Sequence, residues 1–262
     1  MNRIESHLEK LREKGEKAFI TYITAGLPDM DTTARLIKAQ EKTDIIELGI
    51  PFSDPTADGP VIQQASYEAI LGGATLSKAF ELMKKLRAEG VDKPIVFMLY
   101  YNTIAGLGIK EFVTGCHECG VDGLIVPDLP LEEQEPLREA LSSDDTTILI
   151  QLVSPVSKDR IPEILKDARG FVYCVSSMGV TGQAADFHRE VINYLSYVKE
   201  VSKIPVMMGF GIRTAEDIRP MKDIIDGAIV GSYFITLMRE SGFDSTLANE
   251  YTTRFKEELN SL

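Results

Sequence analysis

Eight short apolar runs recur along this 262-residue chain, and each is followed by an exit rich in Gly, Pro or Asp and then by a segment of helical periodicity. The runs begin near Ala18, Asp44, Pro94, Asp122, Thr146, Gly170, Ile204 and Asp226. Strands that alternate with helices pair in parallel through right-handed crossovers, and runs apolar on both faces predict a sheet that is covered on both sides. Eight such units in a chain of this length predict a closed (β/α)8 TIM barrel.

The segments between the runs predict amphipathic helices. In the clearest, residues 75–89, the apolar side chains share one helical face before Gly90. An additional N-terminal helix, Arg3–Lys14, precedes the first run and ends at Gly15, a favourable C-terminal cap. The remaining predicted helices cover residues 30–40, 110–119, 131–141, 159–167, 187–199, 214–222 and 246–259. The gap over residues 50–75 is the longest before a main helix.

An open, doubly wound sheet is the alternative architecture. The G-x-G-x-x-G motif that would favour nucleotide binding on such a sheet does not follow the first run. No break in composition, low-complexity tract or Pro/Ser-rich linker divides the chain. We therefore predict one domain, residues 1–262.

The charge and hydropathy of the chain exclude several classes of partner. A net charge of −12 argues against nucleic acid and against an anionic membrane surface, because both attract basic patches. No apolar run approaches the roughly 18 to 20 residues that span a bilayer, and the N-terminal residues are too polar for a signal peptide. We therefore expect a cytoplasmic protein. A small anionic substrate is compatible with this charge, because backbone N–H groups at helix N-termini bind anions locally.

The sequence offers little support for lysine or metal catalysis. Barrel enzymes that break carbon–carbon bonds usually use a Schiff-base lysine or a metal, but Lys93 and Lys203 precede their strands and no lysine closes one. The pair Cys116 and Cys119 falls inside a predicted helix with only His117 as a further ligand nearby, so we predict helix packing and no metal site. Carboxylates and tyrosines remain as acid–base groups.

Two carboxylates in residues 44–63, DIIELGIPFSDPTADGPVIQ, are the best catalytic candidates. Glu47 lies near the end of its apolar run, so burial should raise its pKa and let it donate as well as accept a proton near neutral pH. Asp58 follows in a proline-rich loop and is expected to stay ionised. Two carboxylates in unlike environments can divide the acid and base roles. A structural ion pair for Glu47 and a helix cap or turn for Asp58 are the alternatives.

Two late exits predict a phosphate site. The seventh and eighth runs leave through glycines at residues 209–211 and 231–232, and helices are expected just beyond. Glycines admit a ligand close to the backbone, and this is the usual phosphate position in a TIM barrel. Tight turns are the alternative role for these glycines. The sixth exit, residues 173–182, is a small-residue loop that could close over the ligand. Three tyrosines, for which packing is the alternative role, are expected at the same mouth: Tyr22, Tyr100 and Tyr173.

These motifs resemble the tryptophan synthase alpha subunit family. The longest match is Glu-Leu-Gly-Ile-Pro-Phe-Ser-Asp-Pro-x-Ala-Asp-Gly-Pro, beginning at Glu47. Shorter matches are Ile-Thr-Ala-Gly near residue 25, Gly-Val-Thr-Gly from Gly179, Gly-Phe-Gly-Ile from Gly209 and Gly-Ser at Gly231. They follow the expected order over most of the chain, and the long motif is highly specific. The resemblance implies a lyase of tryptophan biosynthesis that cleaves indole-3-glycerol phosphate to indole and glyceraldehyde 3-phosphate with neither metal nor Schiff base.

The resemblance also implies roles for individual residues. Glu47 matches the general acid/base, Asp58 matches the carboxylate that stabilises charge at the indole N–H, and Tyr173 matches a tyrosine beside the reacting centre. The positions that match the phosphate cradle are Gly182, Gly211, Gly231 and Ser232, with Thr181 as a further substrate-binding residue. The positions that match the indole pocket are Tyr22, Ile62, Tyr100 and Phe210.

The family works as an α2β2 heterotetramer, so the resemblance implies a β-subunit partner that meets the loop around Asp54. The pyridoxal phosphate cofactor belongs to that β subunit, which consumes the indole, and this chain is expected to hold no cofactor. Three residues depart from the family pattern. Thr56 and Ser177 stand where leucine and arginine are common, and Leu27 stands where an acidic residue is frequent. None of them is assigned to the chemistry.

Two alternative functions stay open. One is a stand-alone indole-3-glycerol-phosphate lyase that releases free indole. The other is a catalytically weak scaffold that activates the β subunit, which the departures in the loops suggest.

Overall fold

The computed structural model describes residues 2–143, 145–175, 184–209 and 211–262, with backbone alone for residues 184–188. The strands in these ranges form one parallel sheet in the order β5-β4-β3-β2-β1-β9-β8-β7-β6. They are β1 Ala18–Thr24, β2 Ile45–Gly49, β3 Ile95–Met98, β4 Gly123–Ile125, β5 Ile148–Leu149, β6 Gln151–Val153, β7 Val172–Cys174, β8 Val206–Met208 and β9 Gly227–Val230.

The sheet closes into the predicted barrel through the fifth apolar run. This run contains two short strands, β5 and β6, with only Ile150 between them. β5 pairs with β4 and β6 pairs with β7, while β1 pairs with β9 on the opposite side. The chain itself therefore completes the ring. All eight predicted runs contain strands, so the TIM-barrel prediction is confirmed.

Helices surround the strands. They are α1 Arg3–Lys14, α2 Met30–Ala39, α3 Pro60–Leu71, α4 Leu76–Ala88, α5 Tyr101–Leu107, α6 Ile109–Cys119, α7 Glu135–Leu141, α8 Ile161–Leu165, α9 Ala184–Val201, α10 Ser232–Glu240 and α11 Ser245–Ser261. Shorter 3-10 helices cover Leu131–Glu133, Pro155–Arg160 and Ala215–Met221. Among the described residues, no helix is long and apolar enough to cross a membrane.

Several helical regions differ from the sequence-based expectation: α5 was not predicted, and the predicted helices at 131–141 and 159–167 begin in 3-10 segments. Helix α3 lies inside the gap predicted at 50–75. It was not predicted because Pro60 in its first turn continues a loop rich in Pro and Gly. Its exposed Tyr67 and Leu71 also interrupt the apolar periodicity expected of a helix that packs on the sheet. The predicted helix at 214–222 is a 3-10 helix with Pro220 inside it. Proline removes an α-helical hydrogen bond, which disfavours a regular α-helix there.

Helix α1 closes the amino-terminal end of the barrel, as the predicted extra helix. Ile4 is fully buried and packs with Leu8 and Leu11 in the cluster inside the barrel. A Cβ atom on Gly123 would lie 2.9 Å from the Cδ1 atom of Ile4, so this glycine makes room for the helix. The apolar face of α1 thus covers the amino-terminal end of the barrel core.

Aspartates precede three strands at the same end of the barrel. Each accepts a backbone N–H from the neighbouring strand and a hydrogen bond from a cationic side chain, with donor–acceptor distances of 2.6 to 2.8 Å. The sets are Asp44 with Phe19 and Lys256, Asp122 with Ile95 and Arg87, and Asp226 with Val206 and Lys199. We call these three sets the aspartate clamps. At the amino-terminal end of the barrel they link β2 to β1, β4 to β3 and β9 to β8.

Candidate active site

Glu47 lies on β2 and points into the barrel near its carboxyl-terminal end. It is in register with Tyr22 of β1 and Val96 of β3, and its side chain is fully buried. Burial, followed by the charge of Asp58, raises the pKa of Glu47 to about 8, and the hydroxyl of Tyr173 opposes this shift. The Tyr173 hydroxyl lies close to Glu47, but within the described part of the chain neither carboxyl oxygen of Glu47 has a hydrogen-bond partner. Glu47 therefore holds a proton at neutral pH, as predicted for a general acid.

The carboxyl group of Asp58 is held by Tyr100, which lies in the loop after β3. The Tyr100 hydroxyl donates to the Oδ2 atom of Asp58 at 3.0 Å and accepts the backbone N–H of Ala57 at 2.9 Å. The ring of Tyr100 also stacks on Phe52, with ring centroids 5.0 Å apart. Burial raises the pKa of Asp58, and the Tyr100 hydrogen bond opposes the shift. Tyr100 thus holds the loop that carries Asp58, a role that its position after an apolar run did not indicate.

Tyr173 and Tyr22 are buried hydroxyl groups near the carboxylates. Burial is the main cause that raises the pKa of both phenols, and the charge of Glu47 or Asp58 adds to it. Both hydroxyls therefore stay protonated and can donate hydrogen bonds, but neither is suited to act as a base near neutral pH.

Each of these tyrosine rings lies against a glycine on the next strand. A Cβ atom on Gly49 would lie 2.0 Å from the hydroxyl oxygen of Tyr22, and one on Gly209 would lie 2.7 Å from the Cε1 atom of Tyr173. Real Cβ atoms do not approach other atoms so closely, so both positions require glycine. The sequence signal is a glycine that ends one strand beside a tyrosine on its neighbour, and it becomes visible only once the strand register is known.

Two of the predicted indole-pocket residues, Tyr22 and Ile62, pack in one cluster. Tyr22 is in a small apolar cluster with Leu27 and Ile235, and Ile62 of α3 packs against that cluster. Leu27, one of the departures from the family pattern, is therefore a packing residue. Thr56, a second departure, is exposed in the loop before Asp58.

Part of the predicted phosphate cradle lies at the start of α10. Gly231 precedes this helix, and no described side chain caps its first N–H groups. Gly211 follows β8 with a φ of +66°, and a Cβ there would meet nothing within 4 Å. Free N–H groups and the positive end of the helix dipole suit an anion. The remaining predicted ligand-binding residues, Thr181, Gly182 and Phe210, lie outside the described residues, as does Ser177.

The cysteines take no part in this site. Cys116 and Cys119 are buried on α6, in the apolar layer between the strands and the helices, and burial raises the pKa of both thiols. This agrees with the predicted role in helix packing. No three His, Cys, Asp or Glu side chains in the described ranges are grouped to hold a metal ion.

Comparison with known proteins identifies the family. The family model described as "Tryptophan synthase alpha chain" matches residues 8–261. The chain belongs to this family. A tryptophan synthase alpha chain from Lachnospira eligens is 59% identical over 264 residues, covering 100% of both chains. One from Alkaliphilus metalliredigens is 46% identical, covering 99% of this chain and 97% of its own. The resemblance drawn from the motifs is confirmed.

Solved structures of the family share the fold. Tryptophan synthase subunit alpha from Legionella pneumophila superposes with a TM-score of 0.90 at 31% identity, covering 100% of both chains. A chain of the tryptophan synthase complex from Pyrococcus furiosus superposes with a TM-score of 0.80 at 32% identity, covering 94% of this chain and 99% of its own. The agreement over whole chains confirms the barrel as the family fold.

Proposed function

We propose that this chain is the α subunit of a tryptophan synthase and cleaves indole-3-glycerol phosphate to indole and glyceraldehyde 3-phosphate. Membership of the family supports the reaction. The observation that carries the assignment to this site is the fully buried Glu47, whose pKa of about 8 keeps it protonated in the barrel mouth. A retro-aldol cleavage of this substrate needs a proton delivered to the indole ring and another removed from a hydroxyl group, which one such carboxyl group can do in turn.

In the proposed mechanism, Glu47 acts first as an acid and then as a base. Protonated Glu47 gives its proton to C3 of the indole ring. The resulting carboxylate then takes the proton of the substrate hydroxyl on the glycerol carbon that is bonded to C3, while the bond between C3 and that carbon breaks. The electrons of that bond return to the ring, the hydroxyl becomes the aldehyde of glyceraldehyde 3-phosphate, and Glu47 is protonated again.

Other residues bind and orient the substrate in this proposal. Asp58, held by Tyr100, stabilises positive charge at the indole N–H, and the neutral Tyr173 hydroxyl lies beside the reacting carbon. The phosphate is bound at Gly211 and at the N-terminus of α10, where Gly231 and Ser232 lie. Tyr22, Ile62 and Phe210 are assigned to the indole pocket, and Thr181 and Gly182 to the phosphate.

We also propose that the chain works with a β subunit in an α2β2 complex in the cytoplasm. Asp54 is exposed on the loop after β2, as a partner contact requires. Two exposed apolar side chains follow other strands at this end, Leu107 at 46% and Val156 at 87% exposure. Apolar groups at the rim suit a partner that receives indole there. In this proposal the pyridoxal phosphate is bound by the β subunit and this chain binds none.

The deciding experiment is an indole-release assay on the purified chain with and without the β subunit. An α subunit shows slow release that rises strongly when β is added. Rapid release that β does not change would instead establish the stand-alone lyase. If the wild-type chain releases no indole with or without β, it is a scaffold. If the wild-type chain releases indole and Glu47→Gln does not, the scaffold is excluded.

A further inference from the structure

Gly49 shares the interior face of the barrel with the groups of the site. In the pairing of β1 with β2, Tyr22 is opposite Glu47 and Thr24 is opposite Gly49. Side chains two residues apart on a strand point to the same side. Glu47 and Gly49 therefore face the same interior as Tyr22 and Thr24, and Gly49 lies one step closer to the mouth than the catalytic carboxyl group.

The side chain of Tyr22 occupies the space where a side chain at position 49 would lie. A Cβ atom on Gly49 would be 2.0 Å from the hydroxyl oxygen of Tyr22, 2.4 Å from Cζ and 2.6 Å from Cε2. The glycine on the other neighbouring strand is different, because a Cβ atom on Gly231 would lie 3.5 Å from the Cβ atom of Tyr22, an ordinary contact. Of these two glycines, only Gly49 requires the absence of a side chain.

The ring has little freedom to move away. Tyr22 is 4% exposed and packs in the cluster formed by Leu27, Ala65, Ala69 and Ile235. Its hydroxyl lies 3.5 Å from the Oγ1 atom of Thr24. Any side chain at position 49 would thus displace the ring within the interior that Tyr22 shares with Glu47.

We propose that Gly49 is a positioning residue that sets the width of the indole pocket by letting the ring of Tyr22 lie across the end of β2. The inference rests on the proposed function, in which Tyr22 lines that pocket. A displaced ring takes space from the substrate and leaves the proton on Glu47 in place. The loss is therefore in substrate binding more than in the chemical step.

The test is a double-mutant cycle, with kcat and KM for indole-3-glycerol phosphate measured at saturating β subunit. Gly49→Ala is expected to raise KM about tenfold with a smaller change in kcat. The same substitution in a Tyr22→Phe background is expected to be as harmful, because Cζ and Cε2 remain too close. In a Tyr22→Ala background it is expected to have no further effect. Gly106→Ala on α5 is the matched control, since a Cβ there meets nothing within 4 Å.

If Gly49→Ala raises KM by the same factor in the wild-type and Tyr22→Ala backgrounds, the proposal is overturned. If Gly49→Ala alone does not fold, thermal unfolding of the double variant decides, and failure of Tyr22→Ala to restore folding would also overturn it. Failure of the proposed function appears differently, as an absence of cleavage by the wild-type chain. The steric coupling of Gly49 to Tyr22 is still measurable then as non-additive shifts in Tm.

Discussion

The two ends of this barrel hold their carboxyl groups with different partners. At the amino-terminal end, the aspartate clamps give Asp44, Asp122 and Asp226 a backbone N–H and at least one cation each, and Asp122 has a second cation in Arg3. At the carboxyl-terminal end, Glu47 faces no cation in the described residues, and the carboxyl group of Asp58 accepts a hydrogen bond from Tyr100 alone among described side chains. Burial raises the pKa of both Asp122 and Glu47, but at Asp122 the charges of Arg87 and Arg3 and the Ile95 N–H oppose the rise, whereas no described cation opposes it at Glu47. The same chemical group therefore joins strands at one end and carries a proton at the other.

The largest expected effect is on turnover, from removing the proton at the carboxyl-terminal end. Glu47→Gln keeps the shape of the side chain but cannot transfer a proton, so kcat for indole release with β subunit should fall about 10³-fold. Affinity for glycerol 3-phosphate, measured by calorimetry, should stay within about tenfold of wild type because the phosphate cradle is unchanged. A comparable loss of that affinity would contradict the assignment of Glu47 to proton transfer.

The next effect is on stability, from removing a clamp at the amino-terminal end. Asp122 is 1% exposed by its side chain and Arg87 is 13% exposed, so Asp122→Ala leaves a buried cation without its carboxylate. The free energy of unfolding should fall by about 3 kcal/mol in urea titrations, with kcat unchanged where the variant is folded. Asp159→Ala, at an exposed aspartate, is the control and should change stability by less than about 0.5 kcal/mol. A lower kcat in folded Asp122→Ala would show that the two ends are coupled.

The pH dependence of stability sharpens the contrast. Between its usual pKa of 4.5 and its native value of about 8, Glu47 keeps a proton that the unfolded chain releases, so it destabilises the native state increasingly as pH rises through that window. Glu47→Gln lacks this penalty. It should match wild type near pH 4.5 and exceed it by roughly 2 kcal/mol near pH 6 in urea titrations, with the difference still growing toward pH 8. A difference that does not vary with pH would show that Glu47 is not protonated in the folded protein.

The smallest effect is expected at the most exposed clamp. Lys199 and Asp226 are 43% and 35% exposed by their side chains, so solvent screens their attraction. Lys199→Ala should lower the free energy of unfolding by no more than about 0.5 kcal/mol. A loss as large as that of Asp122→Ala would mean that burial does not set the strength of the clamps.

Local patterns predicted the barrel and its principal carboxyl group, because eight alternating runs and a glutamate inside an apolar strand are visible in adjacent residues. The clamps were missed although three of the runs begin at Asp44, Asp122 and Asp226, since their partners are set by strand register. The requirement for glycine at position 49 was missed for the same reason, because the ring that fills its space comes from another strand. The pKa of Glu47 was predicted in direction, but its size depends on complete burial, which an apolar run alone does not establish.

The interruption of the fifth run at Ile150 divides the barrel into two arcs of contiguous sequence. Strands β1 to β5 form one arc and β6 to β9 form the other. Hydrogen bonds between β1 and β9 join the arcs on one side, and a single stretch of backbone joins them on the other. The backbone N–H of Ile150 still donates to Leu124 of β4 at 2.9 Å, so this one stretch pairs with β4 through its first residues and with β7 through its last, and its displacement would break both pairings at once.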